Sequence, residues 1–341
     1  MENYTELSQK ELNITFETNL KVEGHNSMNE HLELPRLNQR INNLYPQKRD
    51  YKMKLDVTDK CDPPHRKGEK FDVKRDVFLL LVVKSVCKFR SRRAAIRATW
   101  GNEPWARQFL HFHVRLIFLL GSCQEGKSSE RGEENSLERE SREHNDILQW
   151  DFAESFRMVT LKDVLFLQWV ARSCREVPFI YKGDDDVFVN TPNLIKHLVT
   201  NVRREEMTSL MLGWVMKKSK RVDDVSDKYY VSRDLYPRDF YPPYVSGGGF
   251  VMTGRLALSL FEATLTTPMF PIDDAFVGVL MKKVGVSPKS DPRFKLYPWQ
   301  VCDFSVDFAC HRVELDYRNR SLLRMLLEKT VLAKIPLGVA F

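Results

Sequence analysis

The chain is predicted to fold as an α/β protein, with a mostly parallel sheet flanked by helices. Two patterns carry that expectation. Unbroken apolar runs of strand length alternate with helix-length segments, and such runs are the mark of strands covered on both faces. One of them, ending at Lys182, stops at a cluster of acids, which is where sheets of this kind place their ligands. Asp76 to Lys84 opens the series as a continuous apolar strand. Arg90 to Trp100 follows as an amphipathic helix ended by Gly101, and Val114 to Leu120 as a second buried strand ended by Gly121. Ser128 to His144 reads as a charged helix and Asp146 to Trp150 as a short strand. Leu161 to Cys174 is an apolar-faced helix, Pro178 to Lys182 a strand, and Thr191 to Asn201 a helix.

The 341 residues carry 53 Lys and Arg against 46 Asp and Glu, a formal net charge of +7. That bias is mild and interleaved with acids, and no nucleic-acid reading motif accompanies it, so a nucleic-acid partner is not expected. Local clusters such as Arg90, Arg92 and Arg93 suit a polyanionic small ligand instead. Residues 1–70 are polar, lack a sustained hydrophobic period and close on Pro63-Pro64, so they read as a partly disordered stem or linker ahead of a folded domain at 71–341. The longest apolar run is far too short to span a bilayer. Six cysteines without a CxxC pair argue against zinc and permit three disulfides, with the pairing left open. Sequons at Asn3, Asn13 and Asn319 point with them to an oxidising, secretory setting.

Three segments carry chemistry. At the end of the strand Phe179 to Lys182 stands Gly183-Asp184-Asp185-Asp186. Adjacent carboxylates repel one another, and a hard divalent ion, Mn²⁺ or Mg²⁺, relieves that repulsion when Asp184 and Asp186 turn toward it; a solvated helix-capping turn is the bland alternative. Tyr241-Pro242-Pro243-Tyr244-Val245-Ser246-Gly247-Gly248-Gly249-Phe250 is a proline turn whose glycines let a ligand approach the backbone. Ile272-Asp273-Asp274 places two acids at the start of an apolar helix, Ala275 to Val284. One of them suits helix capping, which leaves the other available as a general base.

These segments follow Arg93-Ala94-Ala95-Ile96-Arg97-Ala98-Thr99-Trp100-Gly101, Asp146-Ile147-Leu148-Gln149-Trp150-Asp151-Phe152 and Leu161-Lys162 in a fixed order. In that order the chain resembles the β-1,3-glycosyltransferases of the GT-A fold, over roughly Asp76 to Gly285. Asp-Asp-Asp, Ser-Gly-Gly-Gly-Phe and Ile-Asp-Asp look most like the N-acetylglucosaminyl branch. The resemblance implies a Rossmann-like GT-A catalytic domain over 71–341, and transfer of GlcNAc from UDP-GlcNAc to the 3-hydroxyl of a galactose-type glycan acceptor with inversion. A UDP-galactose enzyme and an inactive carbohydrate-binding relative are the alternatives. Mn²⁺ would be held by Asp186, Asp184 and His311. Arg93, Arg97, Lys162, Asp185, Gly247 and Gly248 would meet the UDP donor, with the first strand's exit, Val83 to Ser85, lining the same pocket. Asp274 would be the base, with Asp273 capping the helix or, with Tyr244, meeting the acceptor. Such enzymes are usually anchored in the Golgi membrane with a lumenal catalytic domain, so an anchor helix is expected by resemblance and not found in this chain. The apolar end, Val331 to Phe341, matches nothing in the family pattern.

Overall fold

Strand β2, Val77–Lys84, is buried over its first seven residues, and its apolar run serves two cores at once. Leu80 and Val82 face one cluster, while Leu79, Leu81 and Val83 face the other, because successive strand side chains point to opposite sides. The computed structural model describes residue 39 and residues 45–57, 59–61, 76–123, 130–295, 303 and 306–310. In chain order its elements are β1 Met53–Leu55, β2, α1 Arg90–Ala98, α2 Glu103–Leu110, β3 His113–Ser122, α3 Glu130–His144, β4 Ile147–Ala153 and α4 Val159–Ser173. They continue with β5 Phe179–Asp184, β6 Phe188–Val189, α5 Thr191–Asn201, β7 Met211–Met216, β8 Tyr244–Thr253, α6 Gly254–Thr264 and α7 Asp273–Lys283. Three short strands follow: β9 Lys289–Ser290, β10 Phe294–Lys295 and β11 Ala309–Cys310.

Eight strands form one sheet in the order β1-β4-β3-β2-β5-β8-β7-β9, and β10-β11-β6 form a second, small one. Pairings β2/β3, β3/β4 and β2/β5 are parallel, whereas β5/β8, β7/β8 and β1/β4 are antiparallel. The α/β expectation therefore holds, with a mixed rather than all-parallel sheet. Helices α4, α6 and α7 cover one face through Leu161, Leu165, Leu256, Leu260, Phe276 and Leu280. Helices α1, α2, α3 and α5 cover the other through Ile96, Leu110, Leu137, Leu194 and Leu198.

One boundary needs correction. Residues 45–57 and 59–61, read from sequence as part of the stem, are built into the core. Tyr45 is buried, Met53 pairs with Trp150 across β1/β4, and Gln47 exchanges hydrogen bonds with the backbone of Met269 at 2.9 and 2.7 Å. A disulfide joins Cys61 to Cys174 at the end of α4. A three-residue edge strand, paired through its backbone with β4, is too short to leave a periodic apolar pattern to detect. Cys87 pairs with Cys123, and Cys310 is disulfide-bonded as well. Cys302, His311, the three sequons and Val331 to Phe341 lie outside the described residues.

Candidate active site

Reading outward from β2, the sheet runs through β3 and β4 on one side and starts again with β5 on the other. That reversal opens a crevice at the carboxyl ends of β2 and β5, where Lys84 lies in register with Asp184. A cleft of about 650 Å³ sits there, with Lys84, Ser85, Phe156 and Asp184 to Asp186 among its walls.

The three aspartates divide their work. Asp185 turns inward: its Oδ2 accepts a hydrogen bond from Ser85 Oγ and its Oδ1 one from the Arg92 guanidinium, both at 2.7 Å. Burial pushes its carboxyl up, against the pull of those two partners. Asp184 remains part-exposed, with its Oδ1 3.1 Å from Lys84 Nζ. Asp184 and Asp186 thus form an oxygen-only donor pair on the cleft, which fits a hard divalent cation such as Mn²⁺ or Mg²⁺. Cys87 and Cys123, near Glu134, offer no rival metal site, because the disulfide uses both sulfurs.

Lys84 links this loop to helix α7. Its Nζ donates to Asp273 Oδ2 at 2.6 Å, so one buried ammonium ties the strand end to the acidic first turn of the helix. Burial disfavours that charge, but Asp184 and Asp273 outweigh it and raise the lysine well above its ordinary range. Burial opposes the ionised form of Asp273 too, yet Lys84 and Lys182 hold this carboxyl low. Asp274 goes the other way: burial and the charge of Asp273 push it up to about 8. A pair whose members are driven apart is the arrangement expected of an acid–base site. Lys182 itself is paired with Asp163 beneath the site.

The glycines of β8 seat Asp274. Gly247 N–H donates to Asp274 Oδ2 at 2.7 Å, and a methyl group at Gly247 would collide with the other carboxylate oxygen. Gly249 has φ +144°, a region L side chains rarely adopt, and a Cβ there would strike the buried Tyr181 hydroxyl. Tyr244 packs against Gly278 of α7; burial raises its hydroxyl, a hydrogen bond with Ser219 opposes the rise, and the charges of Asp274 and Asp273 add to it.

The sequence profile of the Galactosyltransferase family matches residues 91–292, more than half of the chain. The chain belongs to the galactosyltransferase family. It is 44% identical over 223 residues to UDP-GlcNAc:betaGal beta-1,3-N-acetylglucosaminyltransferase 7 of Rattus norvegicus, covering 65% of this chain and 55% of that protein. It is 42% identical over 217 residues to Acetylgalactosaminyl-O-glycosyl-glycoprotein beta-1,3-N-acetylglucosaminyltransferase of Homo sapiens, covering 63% and 54%. With N-acetyllactosaminide beta-1,3-N-acetylglucosaminyltransferase 2 of Homo sapiens it shares 35% over 254 residues, covering 74% and 59%. The chain thus spans little more than half the length of these relatives.

In this galactosyltransferase-family chain several expected contacts take other roles. Arg93 is fully buried and spends its guanidinium on Glu140, on the carbonyls of Val86 and Cys87 and on Ser85 Oγ. Arg97 is forked onto Asp146 and also bonds Glu140. Neither arginine reaches the cleft; they brace the α1–α3 wall behind it. Their guanidiniums are consumed by Glu140 of α3 and by Asp146 just ahead of β4. Lys162 does line the cleft, but its Nζ donates to Ser85 O and Glu154 Oε2, both at 2.9 Å. Gly247 and Gly248 sit in β8, where the Gly247 N–H holds the Asp274 carboxylate. Ile272 occupies the N-cap position of α7, and Asp273, one residue on, gives its carboxylate to Lys84 and to the Asp274 N–H of the first turn. Sequence reasoning missed Glu154, and it gave Lys84 and Arg92 no carboxylate partners, placing the first only in the donor-lining strand exit and the second only in a basic cluster.

Proposed function

We propose that this chain is an inverting glycosyltransferase that moves GlcNAc from UDP-GlcNAc to the 3-hydroxyl of a galactose-type acceptor, forming a β-1,3 linkage. The observation that carries the reading is the Asp273–Asp274 pair beside the acidic cleft, tied to it by Lys84, with Asp273 held low and Asp274 pushed up to about 8. The printed activities of the relatives agree with it.

Asp274, held by the Gly247 N–H, accepts the proton of the acceptor hydroxyl as that oxygen attacks the anomeric carbon. The bond from that carbon to the UDP oxygen breaks on the opposite face, so one displacement converts an α donor linkage into a β product. Lys84 keeps Asp273 charged, and that charge makes its neighbour a stronger base than an ordinary carboxylate. Asp184 and Asp186 would hold Mn²⁺ or Mg²⁺, with His311 as a further ligand by family pattern, and the ion would supply positive charge to the diphosphate. Arg92 and Ser85 fix Asp185 so that the loop stays at the strand end. The disulfides support a secretory-pathway location, for which we propose the Golgi membrane with this domain in the lumen.

The test is incubation with Mn²⁺ and either UDP-GlcNAc or UDP-Gal against acceptors ending in galactose or GlcNAc, scored by product mass. A product heavier by one N-acetylhexosamine on galactose-terminated acceptors is expected. Transfer from UDP-Gal alone, or UDP release that no acceptor accelerates, would overturn the assignment.

A further inference from the structure

The chain ahead of β1 reaches across the protein to the start of the helix that carries Asp274. From Tyr45 to Tyr51 it has no regular structure, yet its side chains alternate. Tyr45, Gln47, Arg49 and Tyr51 are buried or half-buried, while Pro46, Lys48 and Asp50 are exposed. An extended strap produces that alternation, with one face on the protein and the other in water. At one end Tyr51 meets Phe152 of β4 edge to face, with centroids 5.9 Å apart, and Lys52 O accepts the Asp151 N–H at 2.8 Å. At the other end Tyr45 enters the core cluster that holds Phe270 and Phe276.

Between its ends the strap grips the segment that joins α6 to α7. Gln47 Oε1 accepts the Met269 N–H at 2.7 Å, and Gln47 Nε2 donates to Met269 O at 2.9 Å. The same Nε2 donates to Tyr45 O at 3.1 Å, and Arg49 donates to Thr267 O at 2.9 Å. Met269 is fully buried, so one side-chain amide partners both of its backbone groups where water does not reach. Little slack remains between Met269 and the acids. Phe270 is buried, its ring stacked on Tyr241 at 5.7 Å and edge to face with Phe276 at 5.5 Å. Its carbonyl accepts Thr160 Oγ1 at 2.8 Å and the Ile272 N–H at 3.0 Å. Pro271 restricts the backbone between them, and Ile272 O accepts the Phe276 N–H at 2.9 Å to open α7.

We propose that Gln47 is a positioning residue for the base, resting on the transferase reading above. Through Met269 it sets where α7 begins, and so where the Asp274 carboxylate stands against the acceptor hydroxyl. The Gly247 N–H fixes the carboxylate itself, whereas the strap fixes the backbone from which it hangs.

The test uses the whole chain with Mn²⁺, UDP-GlcNAc and N-acetyllactosamine, comparing wild type, Gln47→Met, Gln47→Glu and Tyr51→Ala. Gln47→Met keeps the length of the side chain and removes both bonds to Met269. Its kcat should fall about tenfold, because a slightly displaced base loses its reach. KM for both substrates and Mn²⁺-dependent UDP affinity should stay within about twofold of wild type. Gln47→Glu keeps the acceptor and loses only the donor. It should show the same changes to a smaller extent, and it carries the test if Gln47→Met does not fold. Tyr51→Ala loosens the other end of the strap and should lower the melting temperature with kcat within about twofold of wild type. Amide hydrogen exchange, read by mass spectrometry without turnover, should quicken about tenfold over residues 269–276 in Gln47→Met and stay as in wild type over β2. If wild type transfers nothing while exchange there quickens, Gln47 still sets the start of α7 and the functional reading alone fails. Unchanged kcat and exchange in both Gln47 variants would overturn the proposal. So would an equal fall of kcat in Tyr51→Ala, which would make the strap a general support, or a loss of UDP affinity alongside kcat.

Discussion

Two networks of buried charge lie back to back in this protein, and they differ in one respect. Behind the cleft, Arg93 and Arg97 face Glu140 and Asp146; charges are equal in number and the carboxylates receive forked guanidinium bonds at 2.7–2.8 Å. At the cleft, Asp184, Asp185, Asp186, Asp273 and Asp274 gather around two cations, Lys84 and Arg92. Lys162 and Lys182 do not redress that count, because Glu154 and Asp163 claim them. A balanced network is complete and acts as structure. Among the described residues the other holds more carboxylates than cations, an arrangement that suits a divalent cation. Charge imbalance at a strand end, rather than the presence of charge, separates site from scaffold.

Four substitutions and conditions sharpen that contrast. The largest effect is expected for Asp274→Asn, which removes the base: transfer should fall roughly 10²–10⁴-fold in a product-mass assay. Mn²⁺-dependent UDP binding should persist. Glu140→Gln attacks the balanced network: it takes the carboxylate from the fully buried Arg93 and leaves Arg97 with Asp146 alone. It should lower stability by about 3–5 kcal/mol. Thermal melting should register this as a drop of about 10 °C. UDP affinity of the folded variant should match wild type.

Smaller effects concern pH. Asp274 must be ionised to act, so kcat/KM should rise with pH toward the upper ionisation of the pair, at about 8 in the free protein. Lys84→Gln removes a charge that holds this ionisation down, so the limb should move upward, as a pH–rate profile would show. Stability runs the other way. The folded value of Asp274 lies above its ordinary carboxylate value, so its contribution is full below about pH 4 and is lost as pH rises through about 8. Melting temperatures of wild type should therefore fall relative to Asp274→Asn across that window, and parallel curves would show that this carboxyl is not perturbed.

The sheet was legible because its strands are unbroken apolar runs; α5 begins and ends where its pattern does, at Thr191 and Asn201. The acids of the site were legible as well, since Asp184 to Asp186 and Asp273-Asp274 each adjoin an apolar element. Their partners were not. Lys84 and Asp273 are 189 positions apart and meet only through the β2–β5 crossing and the packing of α7. Arg93 and Glu140 are 47 positions apart, and sequence offers no way to see that an arginine beside a cleft has already been claimed. The long connection between β7 and β8 escaped notice because side-chain and turn hydrogen bonds hold it, without a repeating pattern.

Calorimetric titration of UDP, with and without Mn²⁺, into wild type, Asp186→Ala and Glu140→Gln tests the central contrast most directly. Binding that requires Mn²⁺ in wild type and in folded Glu140→Gln, and that disappears in Asp186→Ala, is the predicted result. Equal binding with and without the ion, or binding unchanged in Asp186→Ala, would contradict the claim that the acidic excess at the strand end is the donor site.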